Sequence, residues 1–318
     1  MIGMKAKLLA AGAVALGLSF NPAAAKAQEF INILTGGTSG VYYPLGVALS
    51  KIYGDTIENA RTQVQSTKAS VENVNLLQQG RGEIAFALGD TVKAAWEGDE
   101  EAGFSEQLGK LRGIAAIYPN YVQVVASQES GIETFEDLAG KSLSVGAPAS
   151  GTELNARRIF DAMGMSYDDL SRAEYLPFDE SVELIKNRQL DATLQSAGLG
   201  VASIKDLALS VPITMVAVPE SVAETLGAPF IAADIPAGTY DGQDEDIPTL
   251  AITNILVTHE EVSDEMAYEM TKQLFENLDE MVAAHSAAND ISLENAPNGV
   301  PVPLHPGAER YYKEQGLL

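Results

Sequence analysis

The sequence predicts an α/β fold in which a second lobe is inserted into the first. Three observations carry that expectation. Short β-rich runs alternate with helical runs from Phe30 onward, the pattern of a parallel sheet with crossover helices. A glycine-rich turn, Gly36 to Gly40, joins the first such strand to the first such helix. A second strand and helix cycle begins near Phe135, and a Gly- and Asp-rich loop from Ala237 to Asp246 returns the chain to a strand and a long helix.

Taken in order, Phe30–Leu34 reads as a buried strand, and Val41, Leu45, Ala48, Leu49 and Ile52 recur at helical spacing behind the turn. Arg61 to Ser66 alternates as a strand, and Lys68 to Gln79 is a helix with Val71, Val74, Leu76 and Leu77 on or beside its buried face. Glu83 to Leu88 is a further strand, with Thr91 to Glu97 helical behind it. Lys110 to Ala126 is longer and apolar, with Tyr118-Pro119 in its middle. Since proline breaks regular pairing, a strand, a hinge-like crossing and a second strand are expected there. In the second cycle, Phe135 to Lys141 is a short helix and turn, Ser142–Gly146 a strand and Gly151–Met163 a helix. Glu180–Asn187 and Gly200–Leu207 are helical, while Leu190–Gln195 and Val211–Val218 are β-like. Thr249–Thr258 is a strand. Ser263 to His285 reads as one amphipathic helix, capped by Ser263, with Met266, Met270, Leu274, Leu278 and Val282 on its stripe. A loop and a terminal helix fill Pro301 to Leu318.

Lys5 and Lys7, the apolar run Leu8 to Phe20 and the small residues ending Ala25-Lys26-Ala27 have the layout of a secretory signal peptide cleaved after Ala27. Export follows as an expectation. The apolar run is too short for a spanning helix. The chain has no cysteine, which excludes disulfides and thiolate metal sites. Its 20 basic and 44 acidic residues give a net charge of −24, and removal of the leader leaves 17 basic residues and −27. Such a surface repels nucleic acid and anionic lipid, so neither is an expected partner. About 290 mature residues suffice for one large or two medium cores.

Four loops follow strands and precede helices. They are Gly36 to Gly40; Gln65-Ser66-Thr67 with Ser70 and Asn73; Gly89-Asp90-Thr91; and Gly146 to Thr152. Each, taken alone, reads as well or better as the cap of its own helix. Together they form a set of helix N-termini able to hold a carboxylate through N–H groups and hydroxyls, with Asp90 able to accept from an ammonium group. Tyr118 at the crossing is either a stacking contact or a packing residue. Arg157 and Arg158 read as surface or lobe-packing ion pairs.

LTGGTSGVYYPLG resembles the opening signature of the TAXI family, solute receptors of a subclass of tripartite ATP-independent periplasmic (TRAP) transporters. QSTKASVENVNLL, GEIAFALGD, GIAAIYPNYVQVV, VGAPASGTELNARRI and PAGTYDGQDEDIPTLAITNILVT follow in the family's order and span nearly the whole mature chain. The resemblance implies a two-lobed type II periplasmic-binding-protein fold. Lobe I would comprise 28–118 and 241–318 and lobe II 119–240, with the ligand in the cleft between them. It carries ligand contacts onto Gly37, Thr38, Ser39 and Tyr42 in the first loop and onto Ser66, Thr67, Ser70 and Asn73 in the second. Asp90 in the third loop and Ser150, Gly151 and Thr152 in the fourth complete the carry-over. Gln195, with Ser196 and Gly198, stands where family members usually have a more aromatic or glycine-rich segment, and it is taken as part of the far wall. The implied ligand is a small carboxylate, glutamate or a dicarboxylate such as 2-oxoglutarate. The implied partner is a TRAP membrane subunit, the receptor itself is expected to be a monomer, and no cofactor or metal is implied. A periplasmic sensor module signalling to a membrane kinase is the alternative.

Catalysis finds little support. His259, His285 and His305 lack metal-ligand spacing, no serine sits in G-x-S-x-G, and Phe135 stands where a Walker A loop ending at Gly140-Lys141-Ser142 needs its first glycine. The acidic loop Asp241–Asp246 lacks EF-hand spacing and reads as solvated.

Overall fold

Residue 29 opens the first strand of the computed structural model, which describes residues 29–318; the expected leader and its cleavage site lie outside them. β1 (Glu29–Leu34) pairs in parallel with β2 (Ala60–Gln65) on one side and β3 (Ile84–Leu88) on the other. Parallel neighbours require crossovers, supplied by α1 (Tyr42–Thr56) and α2 (Ser70–Gln78). α1 turns Leu45, Leu49, Ile52 and Tyr53 onto the sheet, the spacing visible in the sequence. α3 (Gly89–Glu97) follows β3 without a linker and stops at Gly98, which takes the left-handed conformation that suits glycine.

β4 (Leu111–Ser127) then runs 17 residues out of this half into the next. There the chain forms β5 (Ser142–Ser144), α4 (Gly151–Ala162), β6 (Arg172–Glu174), α5 (Phe178–Lys186), β7 (Ala192–Ala197) and α6 (Ala202–Ser210). β8 (Ile213–Val216), α7 (Glu220–Leu226) and β9 (Ile231–Ile235) complete it, and β10 (Ile247–His259) returns. α8 (Asp264–Glu276), α9 (Leu278–Ala284) and α10 (Pro306–Glu314) close the chain. The strands form one sheet ordered β2-β1-β3-β10-β4-β7-β5-β6, with β8 against β4 and β9 against β10. The antiparallel pair β4 and β10 is common to both halves. The first half of β4 and the second half of β10 belong with β3, whereas Tyr121–Ala126 of β4 pairs with β7. This is the expected two-lobed type II architecture.

Strand alternation divides the core. In β3, Phe86 faces one apolar cluster while Ala85 and Ala87 face another; in β4, Val122 and Val124 enter a third cluster, within the second lobe, with Phe135, Leu143 and Phe160.

Two expectations need correction. β4 is continuous through Pro119, because a bulge absorbs it: Thr253 pairs with Pro119 and Ile255 with Ala116, leaving Asn254 opposite two residues. The Asn254 amide then donates to the Tyr118 carbonyl and to Asn120 Oδ1, both at 2.8 Å, which pairs these two acceptors on either side of the proline. The expected single helix from Ser263 is two helices. Asn277 leaves helical geometry at φ −129° and ψ 32°, and its side chain donates to the Gln273 carbonyl at 2.8 Å, the acceptor its own N–H would have used. Ser263 does cap α8, accepting from the Met266 N–H at 3.1 Å. The short elements β6, α7 and β9 carry no clear signal in the sequence; Ile231-Ala232-Ala233 gives β9 only weak alternation.

Candidate functional site

The loops singled out in the sequence meet at the carboxyl ends of the strands, on either side of a cleft of about 260 Å³. Lobe I builds its wall by hydrogen bonds among three loops. Thr67 Oγ1 donates to the Thr35 carbonyl at 2.8 Å, and Asn73 Nδ2 donates to the Thr35 and Phe86 carbonyls at 2.7 and 2.8 Å. Ser66 Oγ donates to the Gly36 carbonyl at 2.9 Å, while Ser70 Oγ accepts from the Leu88 N–H at 3.1 Å. These side chains hold the glycine-rich turn against the α2 N-terminus. Ala69, just ahead of α2, sits at φ +74°, a conformation strained for a residue with a Cβ.

Lobe II presents the α4 N-terminus. Ser150 caps it, accepting from the Glu153 N–H at 3.1 Å, and the Leu154 N–H reaches the Ser150 carbonyl. The amides of Gly151 and Thr152 are therefore the two without an intrahelical acceptor. In α2 the same holds for Ser70 and Val71, since the Asn73 N–H bonds the Ala69 carbonyl and the Glu72 N–H crosses the cleft to the Ala149 carbonyl at 3.0 Å. Each helix N-terminus acts as roughly half a positive charge. α1, α2, α4 and α5 all begin at the cleft. Among the described charged side chains, only Lys68 and Asp179 line it, and both are exposed.

The lobes are closed on one another. A methyl group on Gly151 would lie 2.6 Å from a Leu88 methyl and 2.8 Å from Ser70 Oγ, so α4 approaches lobe I as closely as a bare Cα permits. Gly198 lies nearly as closely between Tyr118, Val41 and Ala287. Phe178 of α5 faces Gly40 across the other side.

Of the residues singled out in the sequence, Gly37, Thr38, Tyr42, Ser66, Thr67 and Ser70 line the cleft from lobe I, and Ser150, Gly151 and Thr152 from lobe II. The Thr38 hydroxyl makes no hydrogen bond among the described residues and is free for a ligand. Tyr42 donates its hydroxyl to Asn254 Oδ1, and burial holds that phenol protonated far above its ordinary range. Five others stand behind the wall. Asn73 supports it, as described, and Ser39 keeps a buried hydroxyl without a partner. Tyr118 is fully buried with its hydroxyl unpaired, and Gln195, equally buried, accepts from Ser203 Oγ at 2.7 Å. Asp90 pairs through Oδ2 with Arg158 at 3.0 Å, while its buried Oδ1 has no partner among the described residues. Burial pushes the Asp90 carboxyl up to about 6, and Arg158 pulls against that rise.

Sequence reasoning missed Lys68, Asn120 and the start of α5 at Pro177, Phe178 and Asp179, and in the far-wall segment it chose Gln195 where Ser196 lines the cleft. The α5 signal was present: a proline followed by Asp179 and Glu180 marks a helix start. Ser196 faces the cleft and Gln195 does not because successive β7 side chains point to opposite faces. The expectation of surface or lobe-packing ion pairs at Arg157 and Arg158 matches the geometry: Arg157 pairs with Glu153 on its own helix, and Arg158 pairs across the lobes with Asp90 and Asp99. Among the described residues no group of three His, Cys, Asp or Glu side chains is placed to hold a metal ion.

The same fold occurs in solved solute-binding proteins. PhnD1 from Prochlorococcus marinus in complex with methylphosphonate aligns with a TM-score of 0.57 at 10% identity, over 92% of this chain and 100% of that one. A binding-protein component of an ABC phosphonate transporter from Pseudomonas aeruginosa aligns at 0.53 and 14%, over 84% and 80%. The alkanesulfonate-binding protein SsuA from Xanthomonas axonopodis pv. citri bound to MOPS aligns at 0.50 and 13%, over 90% and 85%. At such identities the likeness is one of fold. The model of the NMT1-like family matches residues 33–316, nearly the whole of the described chain, and the protein belongs to that family.

Proposed function

We propose that this protein is an exported solute receptor of the TAXI type. It captures a small carboxylate, glutamate or a dicarboxylate such as 2-oxoglutarate, and delivers it to an ion-gradient-driven TRAP membrane subunit. Lobe I comprises 28–118 and 241–318, lobe II comprises 119–240, and the leader is removed after Ala27 on the way to the periplasm. The observation that carries this reading is the convergence of helix N-termini from both lobes on one hydroxyl-lined cleft. Free amides at Ser70, Gly151 and Thr152, with the Thr38 hydroxyl, supply donors to an anion without a buried cation. A ligand gripped from both sides favours the closed form, which is what solute capture requires. The resemblance of its ordered motifs to the TAXI family supports the transporter class. With Asp90 held by Arg158, the carboxylate on the cleft wall is Asp179, and it is the candidate partner for a ligand ammonium.

A thermal-shift screen of amino acids and mono- and dicarboxylates tests the reading. A true ligand at about 100 times its dissociation constant adds roughly 2.7 kcal/mol of stability. Glutamate or a C4 to C5 dicarboxylate is expected to give the largest rise in melting temperature. A panel in which only phosphonates or sulfonates raise it would overturn the carboxylate assignment.

A further inference from the structure

A group of charged contacts between the lobes lies outside the cleft. Arg158, on α4 two turns beyond the Gly151 and Thr152 amides, donates through Nη1 to Asp90 Oδ2 at 3.0 Å and through Nη2 to Asp99 Oδ2 at 3.2 Å. Asp90 stands in the first turn of α3 and Asp99 just past its end, so one guanidinium of lobe II spans both ends of a lobe I helix. The Asp99 acceptor is preset, because its other oxygen takes the Glu101 N–H at 3.0 Å and the Ala102 N–H at 3.3 Å. Beside it, Arg157 donates to the Glu101 carbonyl at 3.0 Å. The Asp90 side chain is 0% exposed and that of Arg158 27%, so this pair is poorly screened by salt, unlike the other described ion pairs, whose members are mostly exposed. None of these four side chains lines the cleft.

We propose that Arg158 is a latch, a positioning residue that touches no solute but ties α4 to both ends of α3 and so keeps the closed form populated with or without ligand. The proposal rests on the receptor reading above. Opening moves α4 off α3 and must break both arms together, since both leave from one planar group. Because α4 carries the amides that would hold the solute, the same contact that steadies closure also places those donors. Solute dissociation, which needs opening, is slowed by it.

The chain has no cysteine, so Val47→Cys and Leu209→Cys, both at exposed helix positions, one in each lobe, give a clean pair of spin labels. Distances between them are measured in buffer and in saturating L-glutamate for the parent, Arg158→Met, Arg158→Lys and Asp99→Asn. In buffer the ratio of closed to open populations is expected to fall at least tenfold in Arg158→Met, equivalent to about 1.4 kcal/mol. Arg158→Lys, a single point donor, and Asp99→Asn, which strips the charge from one arm, are expected to fall between. Asp99→Asn leaves the Asp90 pair intact and serves if Arg158→Met does not fold. A buffer distribution unchanged by Arg158→Met, or by Asp99→Asn in its place, overturns the latch. Failure of L-glutamate to shift any of the proteins would instead count against the glutamate assignment in the receptor reading, and the comparison in buffer would still decide the latch.

Discussion

Gly151 shows how much of the site depends on single atoms. It begins α4 with a φ outside the left-handed region, so alanine suits its backbone, yet a Cβ there would collide with Leu88 and Ser70 on the facing lobe. Gly151→Ala is therefore expected to lower the closed population of the ligand-free protein and to weaken solute affinity tenfold or more. Titration of the variant beside the parent checks it, and equal affinities would mean that the lobes need not approach so closely. At this scale the sequence was informative about chemistry and poor about direction. Hydroxyls and glycines at helix starts identified Thr38, Ser70, Ser150 and Thr152, because capping preferences are local. Which side of the wall Asn73, Tyr118 or Gln195 occupies is set by strand parity and by partners outside their own element, such as Thr35, 38 residues from Asn73, and Ser203 on α6 for Gln195. The same limit applies to Asp90, whose acid chemistry was legible and whose partner Arg158, 68 residues away, was not.

Elements were legible where periodicity was long and caps were clear. α1 and the β1 strand ahead of it follow from spacing alone, and α8 from its Ser263 cap and apolar stripe. The break at Asn277 was hidden because the stripe continues through it in α9, with Met281 buried. β4 was split at Pro119 by a rule that holds for regular pairing and lapses at a bulge. The closest approaches between elements were not legible. Gly307 opens α10 with its Cα so close to α8 that an added Cβ would lie 2.1 Å from the Asp264 carbonyl oxygen and 2.6 Å from the Tyr268 nitrogen, both backbone atoms that cannot turn aside. Gly307→Ala is expected to cost about 3 kcal/mol by forcing the two helices apart. Chemical denaturation reads that directly, and a loss below about 0.5 kcal/mol, on the order of an ordinary surface change, would mean that α10 adjusts freely.

Across the whole molecule, two lobes joined by β4 and β10 are held closed by contacts of three kinds. Bare glycine Cα atoms permit the approach, the Glu72 to Ala149 backbone bond registers the two loops, and Arg158 ties the lobes outside the cleft. A surface of −24 overall gives no general attraction for an anion, so capture falls to the local dipoles of the helix starts. Their claim on a carboxylate is tested most directly by isothermal titration of L-glutamate and 2-oxoglutarate into the parent and into the Thr38→Val, Ser150→Ala double variant. Ser150→Ala also removes the α4 cap, worth about 1 kcal/mol, so the variant is first shown to be folded at the titration temperature. Binding at 1:1 stoichiometry to the parent, weakened at least tenfold in the folded double variant, is the predicted result. Equal binding by both proteins, or no heat from the parent with either acid, would contradict it.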